Sequence, residues 1–245
     1  MRFVAAILLL CLLLPLAAAR PLVRFATSIW PPYVGPQLEE QGLLADITRE
    51  AFDRVGYDIT INYMPWEEAL RAAGTGQYDA VLGGSWTQER EEMFAFSQPY
   101  YHTANHLFSL RNAGIGYEKI SDLRGRKIAV VSGYEVDPEF DDAPGLNKIM
   151  VRDLPQAIQM VLDGEAELLV EARAVVLYTL RDLFPKRQTE LMPLYPPLHL
   201  DPVHNLFCKQ SETWQATQEA FALGMKMIEE DGTYGQILER HGVGR

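Results

Sequence analysis

GGSWTQEREEMFAFSQPYY, Gly83 to Tyr101, follows directly on the short apolar run Asp79-Ala80-Val81-Leu82. The apolar run has the length and composition of a buried strand, and Thr87 ahead of Gln88-Glu89-Arg90 has the form of a helix start. The stretch therefore reads as a strand-to-helix connection, after which Ser97 and Pro99 break an aromatic run. In open α/β sheets ligands sit beyond the carboxyl ends of the strands, where such connections lie. Arg90 then has two readings. It is either a solvated partner of Glu89 or Glu91, or a fixed fork that meets a carboxylate in a cleft. The pattern alone leaves both open.

Outward from this turn, short apolar segments alternate with longer segments of helical period, the rhythm of βα units around a mostly parallel sheet. Leu22–Thr27 is the first expected strand, and Leu44, Ile47, Ala51, Phe52 and Val55 then share one helical face that stops at Gly56. Asp58–Tyr63 is a strand, Trp66–Ala73 a short helix ended by Gly74, and Asp79–Leu82 a further strand. The second half repeats the pattern with strands ending at Val131 and Val151. A helix capped by Asp153 and stopped by Gly164 comes next, then the strand AELLV and a helix over Ala174–Leu183. After a Pro-rich passage, Val203–Cys208 is a late strand and Thr213–Glu230 a long amphipathic helix.

Met1 and Arg2 precede an apolar run from Phe3 to Leu14, and Ala17-Ala18-Ala19 supplies small residues. This is the pattern of a secretory leader, so residues 1–19 are expected to be removed after Ala19 and the protein exported to the periplasm. The apolar run is shorter than the roughly 20 residues of a bilayer span. Leu10 before Cys11 is not the small residue that lipid attachment would require. The remaining length suits two linked lobes of about 100 residues better than one core. Cys208 would be the sole remaining cysteine, so burial rather than a disulfide must stabilise the fold, with the thiol packed as a small apolar group.

The formal net charge is −11, which disfavours a nucleic-acid partner because phosphate contacts need clustered Lys and Arg. No phosphate-binding glycine loop, dinucleotide fingerprint, HExxH or CxxC is present. Ser85 lacks the closing glycine of a nucleophile elbow. His102, His106, His199, His204 and His241 show no metal-ligand spacing, so no metal and no cofactor are expected. What remains is aromatic side chains and one arginine at strand ends: Trp30 within SIWPPY, Trp66, and the GGSWTQER turn. Flat aromatic walls around an arginine exclude water and strengthen its contact with a carboxylate, although tryptophans at these positions are equally compatible with a core.

WPPY after the first strand, PWEEAL and GQYDAVLGG leading into TQER and FAFSQPYY, DLRGRKIAVVSG, GEAELLV, and the terminal MIEEDGTYGQILERHG stand in one order along the chain. In that order and spacing the sequence resembles the bacterial extracellular solute-binding proteins of family 3. The resemblance implies an α/β, two-lobed periplasmic-binding-protein-like fold of type II, each lobe a central mixed sheet flanked by helices, joined by two hinge strands. It implies a discontinuous first lobe (20–109 plus 203–245) and a second lobe over 110–202, with HLFSLR and VHNLFC as the crossings. Carried over by position, Arg90 would clamp a ligand α-carboxylate, Ser85 and Thr87 would donate to it, and Trp30 would stack on the ligand. Trp66 would line a first-lobe apolar pocket, and Gly83 and Gly84 would offer backbone contacts. Between Asp79 and Arg90 this chain is one residue shorter than the family pattern. Tyr134 and Glu135 replace the usual threonines after VVSG, where backbone N–H groups can receive an anion. The aspartate that receives an α-ammonium aligns with Ala172. Glu171 beside it either substitutes or is a solvated carboxylate, since neighbours along a strand point opposite ways.

The expected function is a monomeric, non-catalytic receptor for a small carboxylate-bearing solute, an amino acid or a derivative, serving an ABC-type permease or a membrane sensor. Two alternatives stand beside it. One is a cyclohexadienyl-dehydratase-like enzyme with Glu171 or Glu135 as its acid, and the other a stand-alone sensory module.

Overall fold

In the computed structural model the described residues are 19–132 and 136–243. The leader expected at residues 1–19 lies outside them except for Ala19. From the amino end the chain forms β1 (Leu22–Thr27), α1 (Leu43–Arg54), β2 (Asp58–Tyr63), α2 (Trp66–Gly74), β3 (Ala80–Gly84), α3 (Gln88–Met93) and β4 (Phe94–Phe96). It continues through β5 (Tyr101–Leu110), β6 (Lys127–Val131), α4 (Pro138–Asp141), β7 (Asn147–Val151), α5 (Leu154–Leu162), β8 (Leu168–Ala172), α6 (Arg173–Leu183) and β9 (Leu191–Pro193). β10 (His199–Cys208), α7 (Trp214–Glu230) and α8 (Thr233–Arg240) complete it.

The helices form where apolar spacing and caps coincide. In α1 the face carrying Leu44, Ile47, Ala51 and Phe52 is fully buried, and Gly56, at φ +78°, turns the chain out of the helix. In α5 the Asp153 carboxylate accepts the Gln156 N–H at 3.0 Å, satisfying one of the orphan donors of a helix start. α7 crosses α1 at Gly224, where an added Cβ would lie 1.9 Å from the Ala51 carbonyl oxygen, so only glycine permits that approach. Phe52 and Phe221 meet there with ring centroids 5.6 Å apart.

The strands follow the order β2-β1-β3-β10-β5-β8-β6-β7, with β4 added on β10 and β9 on β5. β2, β1 and β3 are mutually parallel, as are β7, β6 and β8. β10 joins the two groups, running antiparallel to β3 and β4 from His204 onward and antiparallel to β5 before it. The sheet is thus mixed, curled and flanked by helices, with β10 bridging its halves.

Two expectations about these connections are corrected by the pairing. β5 pairs with β8 from Asn105 to Phe108, so HLFSLR lies inside the second group of strands. The chain changes side earlier, between Phe96 and Tyr101, and a division at residue 109 cuts through a paired strand. The late strand also begins at His199 rather than Val203 and runs through Pro202, which pairs with His102. Over this segment only β5 flanks β10 among the described residues, so a residue without an N–H is tolerated as on an edge strand. Cys208 is fully buried, as its apolar surroundings suggest.

Candidate ligand-binding site

The turn between β3 and α3 is shaped by its glycines and its cap. Gly83 adopts φ +74°, a region that side chains disfavour, and its N–H is donated to Asn205 Oδ1 at 3.3 Å. Gly84 passes beneath Trp66, where an added Cβ would stand 3.0 Å from the indole Cη2. Thr87 is extended, and its hydroxyl oxygen accepts the Arg90 N–H at 3.2 Å, starting α3. The Arg90 side chain then folds back over the turn. Its Nη1 donates to the Ser85 carbonyl at 2.9 Å, and the guanidinium carbon lies 5.3 Å from the centre of the Trp66 ring. A half-buried cation is thus held on an indole face at the carboxyl end of a strand, with a helix start beside it.

Trp30 closes a small loop through reciprocal backbone bonds with Val34, at 2.8 and 2.9 Å. Its ring is 4.6 Å from Tyr33, and Tyr33 is 5.6 Å from Tyr101 of β5. Val34 in turn lies beside Gly83, so the Trp30 loop and the β3–α3 turn are neighbours. Burial pushes the Tyr33 phenol up strongly, Tyr101 and the Glu171 carboxylate push in the same direction, and Arg173 opposes them. Glu171 and Arg173 of the second lobe therefore stand close to an aromatic of the first.

On the second-lobe side, Ala172 is fully buried and begins α6 without any side-chain cap. Glu171 is 6% exposed, and its Oε1 accepts the Ala172 N–H at 2.7 Å, turning the carboxylate toward the helix start. Tyr134 and Glu135 lie outside the described residues. Ser85 differs from its expected role. Its hydroxyl donates to Asp201 Oδ2 at 2.8 Å, because a carboxylate carried in on β10 offers it a charge-assisted partner.

With this geometry the comparison with known proteins is decisive. A model of the bacterial extracellular solute-binding proteins, family 3, matches residues 23–244. The chain belongs to that family. As a family 3 protein it is 33% identical over 89 residues to a probable ABC transporter extracellular-binding protein, YckB, of Bacillus subtilis (strain 168), covering 36% of this chain and 31% of that one. It is 31% identical over 108 residues to the arginine-binding extracellular protein ArtP of the same organism, covering 40% and 41%. The chain thus spans well under half the length of these curated relatives. In fold it is similar to a histidine kinase sensor domain with similarity to periplasmic binding proteins, at TM-score 0.74 and 19% identity, with 91% of this chain and 96% of that one covered.

Two further residues hold this turn without any local mark in the sequence. Asn205 is fully buried and holds the Gly83 turn, the Tyr100 hydroxyl at 3.1 Å and the Thr48 hydroxyl at 3.1 Å, fixing β10 against β3 and α1. Asp201 holds Ser85. Both lie in the segment LDPVHN, where Pro202 conceals the strand and the two bonds span 122 and 116 residues of sequence. Local periodicity carries no signal of such pairings.

Proposed function

We propose that this protein is an exported receptor that captures a small carboxylate-bearing solute, an amino acid or a derivative, between two closing lobes. One lobe is built on β1–β4 with α7 and α8, the other on β5–β9 with α4–α6, and β10 joins them. Arg90 takes the carboxylate as a bidentate fork, while Trp30 and Trp66 wall the body of the ligand and keep water from the ion pair. Thr87 keeps its hydroxyl proton for the same carboxylate. Closure follows from mass action: a ligand that touches both lobes favours the state in which both are near. The solute is passed to an ABC-type permease or a membrane sensor, and the protein acts as a monomer after loss of residues 1–19.

The observation that carries this reading is the Arg90 guanidinium, turned inward between the Ser85 carbonyl and the Trp66 ring. The dehydratase alternative needs a cleft acid that gives up a proton. Glu171, its described candidate, accepts a backbone N–H, an arrangement better suited to charge pairing.

Thermal denaturation of the exported form against the common L-amino acids and their deaminated acids tests the proposal. A ligand present at 100 times its Kd raises stability by about 2.7 kcal/mol. Removing one partner of a hydrogen-bonded charge pair costs about 2–5 kcal/mol, so Arg90→Ala is expected to weaken binding roughly 30-fold to several thousandfold while leaving the unliganded melting temperature nearly unchanged. Equal ligand-induced shifts in parent and variant would overturn the assignment.

A further inference from the structure

Ser85 holds two opposite charges at once. Its carbonyl accepts Arg90 Nη1 at 2.9 Å and its hydroxyl donates to Asp201 Oδ2 at 2.8 Å, so the cation and the carboxylate are separated by the width of a single residue. We infer that Asp201, rather than Glu171, receives the ammonium group of an α-amino acid whose carboxylate sits on Arg90. This rests on the receptor reading above and names the class of solute as zwitterionic.

Three observations support the assignment. Along β10 alternate residues share a face, which places His199, Asp201 and Val203 together and Leu200, 57% exposed, on the other side. On the shared face His199 Nδ1 reaches Asp137 Oδ2 of the second lobe at 3.1 Å, while Asp201 reaches Ser85 of the first. Asp201 therefore lies at the seam between the lobes, where a captured solute would be enclosed.

The second observation is its capacity. Asp201 is half-buried and tethered by one hydrogen bond, and its Oδ1 has no hydrogen-bond or ion-pair partner among the described residues. A carboxylate offers about four acceptor positions, so an ammonium can be added without displacing Ser85.

The third is the state of the alternative seats. At Ala172 there is no charge, and Glu171 is buried with an oxygen already engaged by the Ala172 N–H. Buried in this way, Glu171 leaves little surface for a solute to reach, whereas Asp201 is half-buried.

The zwitterion itself favours the Ser85 arrangement. An α-amino acid carries its two charged groups on one carbon, and Arg90 and Asp201 present the complementary signs on the two oxygens of one residue. A simple carboxylic acid would satisfy Arg90 and leave Asp201 facing it without a counter-charge, which disfavours the acid.

The test is isothermal titration of the parent, Asp201→Asn and Glu171→Gln with three matched pairs: L-arginine and 5-guanidinopentanoate, L-glutamate and glutarate, L-phenylalanine and 3-phenylpropanoate. The remaining L-amino acids are first screened by thermal shift to add the best-bound one with its deaminated acid. The parent is expected to prefer the amino acid of its best pair at least tenfold. Asp201→Asn is expected to lose that preference while binding the deaminated acid within about twofold of the parent, and Glu171→Gln to keep it. A parent that binds the deaminated acid as well as the amino acid overturns the inference without any variant, and leaves the role of Arg90 standing. Loss of the preference in Glu171→Gln alone, or its survival in Asp201→Asn, overturns it equally. A parent that binds no member of either series refutes the receptor reading, and this inference with it.

Discussion

The turn from β3 into α3 and the turn from β8 into α6 are built alike and equipped differently. Each takes the chain from the carboxyl end of a buried strand into a helix. At the first, Thr87 caps the helix and Arg90 folds over Trp66. At the second, Ala172 caps nothing, and the neighbouring Glu171 supplies the acceptor for the buried Ala172 N–H. A carboxylate at position 172 would satisfy the helix start, whereas alanine supplies neither an acceptor nor a charge. The contrast teaches that the first turn assembles its cap and its cation from one short segment, whereas the carboxylate proposed to face a ligand ammonium has no local equivalent there and is brought in on the crossing strand β10.

That asymmetry can be broken most severely at Arg90. Arg90→Ala removes the only described cation of the first turn that touches Trp66, and binding should fall by the factor given above. Arg90→Lys should recover little of it, since a point charge cannot reproduce the planar fork on the carboxylate and the indole. Gly83→Ala is the next largest test. Its φ of +74° is unfavourable for alanine, and the new methyl would lie 3.0 Å from Leu44 Cδ1. A loss of about 1–2 kcal/mol in denaturant unfolding is expected, with weaker ligand binding because the turn carries Arg90. Thr87→Ala should cost about 1 kcal/mol by removing the cap, and Thr87→Ser should restore it. If Thr87→Ala left both stability and binding unchanged, the first turn would be no better organised than the second.

Much of this was legible in the sequence, and unevenly so for a physical reason. α1, α5 and the β3–α3 turn announce themselves through spacing, caps and glycines within a dozen residues, and the structure gives them nearly those limits. Arg90, Trp66 and Gly84 fall together because they lie on consecutive elements. Asp201 and Asn205 did not announce themselves. Their partners Ser85 and Gly83 are distant in sequence, and Pro202 between them argues locally against a strand that only tertiary pairing with β5 sustains. The place where the chain crosses between lobes was likewise hidden, because FAFSQPYYHTANHLF reads as apolar and aromatic throughout and only the pairing divides β4 from β5. Strand alternation sets Glu171 and Ala172 on opposite faces, and β8 stays paired with β5 through both, but alternation does not reveal that the long Glu171 side chain bends back to accept the N–H beside it.

The smallest expected effect separates the lobes by how each is tied rather than by what it binds. Both carry a half-buried arginine that holds two carboxylates: Arg54 with Glu50 and Asp231, and Arg187 with Asp163 and Glu190. The second-lobe set joins residues 3 and 24 positions apart, whereas Arg54 and Asp231 are 177 positions apart, so their contact ties α1 to the end of α7 after the chain has returned from the second lobe. The Thr233 hydroxyl and N–H, together with Arg54, hold the Asp231 carboxyl down at about 2, below the ordinary value of about 3.9. A carboxyl held lower in the folded than in the unfolded chain stabilises fully above the unfolded value, and that contribution is lost as pH falls through the folded one. Asp231→Asn should therefore melt slightly below the parent from neutral pH to about pH 5, and the gap should narrow below about pH 4 and close near pH 2. The gap should be small because exposed ion pairs contribute little. A difference in melting temperature that stayed constant down to pH 2 would show that Asp231 acts through its shape and hydrogen bonds alone, and the long-range tie of the first lobe would then carry no charge-dependent stability.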